Sequence, residues 1–232
     1  FGSEKINGSI SLNHQSQDGR FAISLSGSYL INNNTLPRED VSRRITLAPN
    51  APKLYLPSGA LNWENSTWIN PMSFLERWFN NKTHVFNSTL SISYKISKWL
   101  QAKISNGYSR QYLKEHGITP QKSFNPATIS ASSATFGRTE LQTLITEPQL
   151  LYNWQVKQHA IDAVAGMTIQ QTDQQNLQQT GTGYSSDALL YSIQAASTVS
   201  TTIDRETRYR YTGQFARIGY QYARKYLATV TA

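Results

Sequence analysis

Glu64 and Glu76 are carboxylates set among aromatic residues, in a stretch that also carries Tyr55, Trp63, Trp68 and Trp78. Two carboxylates across a cleft are what glycoside hydrolysis requires. Two glutamates in a long polar stretch are more simply read as solvated, and catalysis is not expected from them. The four aromatics offer flat apolar faces suited to sugar rings or to a protein surface. They would equally serve to pack the stretch onto itself, because a loop of this length must bury something to be ordered. His14, His84, His116 and His159 show no metal-ligand spacing. No Gly-rich phosphate loop or nucleophile elbow is present, so the sequence predicts no catalytic residues, no metal and no cofactor. Lys95, Lys103, Asp162 and Arg217 are isolated charges in otherwise neutral polar rows, placed to tune a polar passage or to pair and stay hydrated.

The elements that carry these residues follow from composition and periodicity. Of the 232 residues only 16% are charged, below the roughly 25% of soluble domains, while 38% are hydrophobic. The remaining polarity comes from Ser, Thr, Asn and Gln. No apolar run reaches the ~18 residues of a membrane helix, but alternating strands escape that test. The formal net charge of +8 is scattered, with loose clusters at Arg43–Arg44 and from Arg205 to Arg210. This favours a solvated or lumen-facing surface over a nucleic-acid patch. The absence of cysteine excludes a disulfide framework. The chain opens on Phe with no export signal, which makes it read as a piece of a longer protein.

Eight segments alternate with period two, the signature of half-exposed strands. They centre on residues 6–12, 21–29, 86–96, 100–108, 149–156, 161–170, 218–222 and 226–230. Pro148 predicts a bulge or an irregular strand start. Phe215 and Tyr211 are out of phase with Ile218, which predicts a bulge between them. Short connections ("QSQDG", "SKW", "KQH", "ARK") alternate with long ones at about 31–82, 110–140 and 171–207. This is an antiparallel meander trimmed at one end and elaborated at the other, with the long connections expected outside the cell. "NPMSFLERW" predicts a short helix with Asn70 as cap and Pro71 in its first turn.

Three features favour lipid over a protein core as the environment of the apolar rows. The opposite rows are neutral and small, whereas a water-facing soluble sheet carries more charge. Phe21, Tyr29, Tyr94, Trp99, Trp154, Tyr222 and Tyr226 stand at strand ends, where an interface aromatic girdle belongs. The long connections all fall on one side. A soluble carbohydrate-binding β-sandwich and an independent eight-stranded outer-membrane barrel, serving as scaffold or adhesin, remain as alternatives. The sequons at Asn7, Asn65, Asn81 and Asn87 matter only in a eukaryotic secreted protein, and the Gln-rich run 170–179 reads as a solvated loop tip.

The stretches "LNHQSQDGRFAISLSGSYLINNNTLP" (12–37), "LAPNAPKLYLPSGALNWENSTWINPMSFL" (47–75), "EPQLLYNWQVKQHAIDAVAGMTIQ" (147–170), "GYSSDALLYSIQAAS" (183–197) and "FARIGYQYARKYLATVTA" (215–232) resemble, in this order, the SusC/RagA family of TonB-linked outer-membrane transporters. Ala216 and Gly219 depart from the last pattern. The resemblance implies an all-β transmembrane barrel of about 22 strands, of which residues 1–232 supply about eight, with the plug domain and remaining strands lying elsewhere. It implies a bacterial outer-membrane location, contact with membrane lipid, a SusD-like lipoprotein lid, energy through TonB, and oligosaccharide or peptide cargo touching Tyr55, Trp63, Trp68 and Trp78.

Overall fold

The computed structural model describes residues 1–42, 46–128 and 130–232. The Arg43–Arg44 cluster lies outside them. Eight strands run in sequence order: β1 (Gly2–Gln15), β2 (Phe21–Pro37), β3 (Trp78–Lys95), β4 (Leu100–Thr119), β5 (Ser133–Val156), β6 (His159–Thr182), β7 (Thr198–Tyr222) and β8 (Tyr226–Thr231). Each pairs antiparallel with the next in one sheet ordered β1 to β8. Among the described residues β1 pairs only with β2 and β8 only with β7, so the sheet is open, a partial barrel wall.

The strands outrun the apolar alternation that predicted them. β5 and β6 have 24 residues each and β7 has 25. The long connections therefore narrow to 38–77, 120–132 and 183–197, against the expected 31–82, 110–140 and 171–207. The missing evidence was polarity: beyond the apolar rows the strands continue with polar residues on both faces, and period two loses its contrast. The Gln-rich run 170–179, expected at a loop tip, lies wholly inside β6.

The register sorts the side chains into two faces. On one, Ile23 stands opposite Ile92, and Ile92 opposite Ile104. Further along, Leu150 faces Ala165 and Ala163 faces Ile218. Among the described residues no second layer covers these rows, and only the far end of the face is covered, by the third long connection. Leu25 is 38% exposed and Leu150 is 50% exposed, so the apolar rows are not the inside of a sandwich. Asn106 and Thr146, two polar residues on it, bond each other at 2.9 Å.

The other face is a ladder of small polar side chains that bond across strands. Ser24 donates to Asn13 at 2.6 Å, Ser109 to Asn87 at 2.8 Å and Thr168 to Glu147 at 2.9 Å. Thr143 and Thr172 hydroxyls meet at 3.2 Å. Gly166 lies on this face beneath the Phe215 ring: a Cβ there would meet Phe215 at 2.6 Å and the Pro148 carbonyl at 2.9 Å.

Of two predicted irregularities, one takes another form and one falls elsewhere. Pro148 sits inside β5, and the β5–β6 pairing lapses at Glu147 and Pro148 but resumes in the same register. A missing N–H interrupts a ladder without requiring an extra residue. The register from Tyr211 to Ile218 is unbroken, and the shift lies between Gln178 and Gln179. Tyr211 and Phe215 are out of phase because they belong to the polar face, where Phe215 fills the room left by Gly166.

The short turns match expectation. Ser16 and Asp18 close the first, with the Asp18 carboxylate accepting the Arg20 N–H at 3.0 Å. The Ser16 hydroxyl, which also donates to this carboxylate, and then the Arg20 N–H hold its pKa below the ordinary aspartate value. Ala223 and Arg224 turn the last with φ of 52° and 57°. No described helix is long and apolar enough to cross a membrane, which has no bearing on strands.

Candidate loop surface

The three long connections gather at one end of the sheet, and the first is the most built. Residues 54–62 form a small hairpin, with Tyr55 bridged to Leu61 and Gly59 turning at φ +82°. Asn70, fully buried, ties it down. Its amide donates to the carbonyls of Leu54 (2.6 Å) and Asn62 (2.9 Å). Its carbonyl caps the next turn by accepting the Met72 N–H at 2.9 Å. That turn, Pro71–Glu76, is a 3-10 helix with Asn70 and Pro71 in the expected places.

Asn62 secures the middle of the loop. It donates to the Lys53 carbonyl at 2.8 Å and the Glu64 carboxylate at 3.0 Å, and accepts the Glu64 N–H at 3.0 Å. It braces Glu64, Asn65 and Ser66, which stand consecutively at φ 42°, 56° and 70°. Left-handed backbone costs roughly 1–2 kcal/mol per residue, and such strain persists only where surroundings over-determine it. From the second loop, Asn125 bonds Ser66 at 2.8 Å.

Arg77 joins the loops. Its guanidinium donates to Ser123 at 3.2 Å, pairs with Glu39 at 3.1 Å, and lies 4.9 and 5.1 Å from the Phe74 and Phe124 rings. Lys122 pairs with Glu76. Asp187 of the third loop accepts the Gln121 N–H at 2.6 Å and the Lys122 N–H at 3.2 Å. The carboxylates of Glu64 and Glu76 are thus both engaged in holding loops.

The predicted contact aromatics divide. Tyr55 is exposed and Trp63 and Trp68 half-buried on the first loop, with the Trp68 indole donating to the Asn62 carbonyl at 3.1 Å. Trp78 stands apart, on the apolar-row face of β3, edge-on to His116 at 5.3 Å and 5.9 Å from Tyr191. There the third loop folds over the sheet, burying Leu190 and Tyr184 against Ile118 and Ala134. His116 bonds the Leu190 carbonyl at 3.0 Å. Burial lowers its pKa below the ordinary histidine value, the Leu190 carbonyl opposing and the Lys114 charge assisting.

Lys95, Lys103, Asp162 and Arg217 share the polar face, and Asp162 pairs with Arg217 at 3.4 Å. The girdle aromatics separate into two levels. Phe21 faces Tyr94, and Tyr222 faces both His159 and Tyr226, near the short turns with Trp99 and Trp154. Tyr29, eight residues up β2, faces Phe86 and bonds His84 at 2.7 Å. The upper level also holds Tyr108 and Tyr112. Neither His84 nor Tyr112 was assigned to the aromatic girdle from sequence, although both continue the apolar-face phase.

No protein-family model and no curated protein match this sequence. Solved structures do. The RagAB peptide importer in its "open-open" state superposes with a TM-score of 0.75 at 14% identity, over 99% of this chain and 27% of that chain. The RagAB peptide transporter gives 0.73 over 96% and 26%, and the "closed-closed" importer 0.69 over 95% and 26%, each at 14% identity. The chain spans about a quarter of the length of these structures and shares the fold of that quarter.

Proposed function

We propose that this chain is a section of barrel wall, with its outer loops, of an outer-membrane importer of the SusC/RagA type. The observation that carries this is an eight-stranded open meander whose uncovered face is apolar, aligned nearly end to end with a quarter of a peptide importer. The apolar rows face lipid, and the polar ladder with Lys95, Lys103, Asp162 and Arg217 faces the passage. Eight residues between the aromatic levels, at about 3.3 Å each and tilted about 40°, span roughly 20 Å, close to the apolar band of such barrels.

In this reading Tyr55, Trp63 and Trp68 are presented to cargo, peptide or oligosaccharide, or to a SusD-like lid. The Asn62–Asn70 scaffold holds them. Trp78 supports the third loop. TonB supplies energy through parts outside this chain, and neither catalysis nor nucleic-acid binding belongs to it. The test is uptake by cells expressing the protein that contains this chain, using labelled oligopeptides and oligosaccharides. Uptake of one class, abolished by dissipating the proton gradient and reduced at least several-fold by replacing Tyr55, Trp63 and Trp68 with Ala, is expected. Extraction of the protein into buffer without detergent would overturn the proposal.

A further inference from the structure

Above the upper aromatic level, the apolar-row face becomes charged. One cross-strand row carries three cations side by side: Lys82 stands opposite Lys114, and Lys114 opposite Arg138, with Asn33 and Leu177 flanking them. All three are exposed. Like charges directly opposed across strands are destabilising, whereas two other cations on this face are paired. Arg110 pairs with Glu140 at 2.6 Å and Arg208 with Asp173 at 2.5 Å. Among the described residues Lys82, Lys114 and Arg138 form no ion pair; Arg138 lies 5.9 Å from the Tyr112 ring. Glu140, two residues along β5 from Arg138, is held by Arg110 and Gln142, and Asp204 stands in the same row two strands beyond Arg138. The row floors a groove of about 770 Å³ walled by Trp78, Phe136 and Tyr191.

Height decides what this groove meets. Lys82 lies four residues above Phe86 on β3, roughly 10 Å along the membrane normal. Headgroups occupy about that depth outside the hydrocarbon. An anion there faces three cations within two strand spacings, about 10 Å, and the aromatic walls suit the apolar faces of sugar rings. We propose that Lys82, Lys114 and Arg138 dock the phosphate-bearing headgroup of a glycolipid in the outer leaflet. The proposal rests on the lipid-facing reading of the apolar rows.

The experiment uses the whole protein containing this chain, reconstituted into nanodiscs. The wild type is compared with K82Q/K114Q/R138Q and with a charge-matched control in the short turns, K157Q/R224Q/K225Q. The discs hold phosphatidylcholine with either a phosphorylated glycolipid or its dephosphorylated form, and native mass spectrometry counts retained glycolipid. Expected is preferential retention of the phosphorylated form, reduced at least tenfold in the triple variant and unchanged in the control. Equal retention by wild type and triple variant, or no preference for the phosphorylated form, overturns the proposal. Loss of the preference to millimolar inorganic phosphate identifies free phosphate as the ligand and also overturns it. Failure of the wild type to enter the discs refutes the membrane reading itself, a distinguishable outcome.

Discussion

Asn70→Ala should loosen the first outer loop without unfolding the sheet. The side chain makes three hydrogen bonds at 2.6, 2.9 and 2.9 Å in a fully buried position. Both carbonyls it serves keep a second partner: the Asn62 N–H at 3.1 Å on Leu54, and the Trp68 indole at 3.1 Å on Asn62. Neither is orphaned, so each loss costs the net worth of a hydrogen bond, about 0.5–1.5 kcal/mol. Loss of the cap adds about 1 kcal/mol. The sum, about 2–4 kcal/mol, is local, because the strand ladders do not depend on Asn70. At 1.4 kcal/mol per factor of ten, amide exchange across residues 54–76 should accelerate roughly 30- to 700-fold, with β2–β7 unchanged. Hydrogen-exchange mass spectrometry on the protein in detergent reads this directly. Unchanged exchange in 54–76, or equal acceleration throughout the sheet, would refute the claim that Asn70 organises this loop.

Three further perturbations probe other parts of the account. Leu25→Arg, at the centre of the band between Phe21 and Tyr29, should destabilise the barrel by about 2–4 kcal/mol, whereas Ser26→Arg on the polar face should cost far less, as denaturant unfolding in lipid vesicles would show. Gly166→Ala drives a methyl into the Phe215 ring and the Pro148 carbonyl and should cost about 1–3 kcal/mol; adding Phe215→Ala should restore only part, because the carbonyl is backbone. Protection of residues 184–196 should fall as pH drops: His116 is half-buried with a lowered folded pKa, so its neutral form is favoured, and the stability it contributes is present above the ordinary value of about 6.5 and lost as pH falls through the folded pKa. Hydrogen exchange in the third loop should show that dependence in the wild type and lose it in His116→Phe.

Strand positions were legible wherever one face was apolar and the other polar. Segments such as Phe21–Tyr29 and Leu100–Tyr108 carry that contrast, and their pairing follows from the short turns between them. The upper halves of β4 to β7 were not legible, because a strand with Lys114, Arg138 or Asp173 on one face and polar residues on the other has no hydropathy period. Only its ladder hydrogen bonds mark it as a strand. Asn70 as cap could be read from Asn-Pro, but its second role, bonding two distant carbonyls, depends on a fold-back that no local pattern encodes. The separation of Trp78 from Tyr55, Trp63 and Trp68 has the same origin: proximity in sequence placed them together, whereas the start of β3 sets Trp78 on the apolar-row face against His116 and Tyr191. Phe215 misled because an aromatic was assigned to the apolar face, when the space over Gly166 had drawn it to the polar one.

The central claim is that the apolar rows meet lipid. Single cysteines at Leu25, Ile92, Ile104 and Ile161, and at Ser24, Ser91, Lys103 and Asp162, each carrying a polarity-sensitive fluorophore, test it in the reconstituted protein. The account predicts that the first set is quenched by brominated acyl chains and shielded from a water-soluble quencher, with the second set showing the reverse. Water-soluble quenching at Leu25, Ile92, Ile104 and Ile161, or protection of both sets from both quenchers, would contradict it.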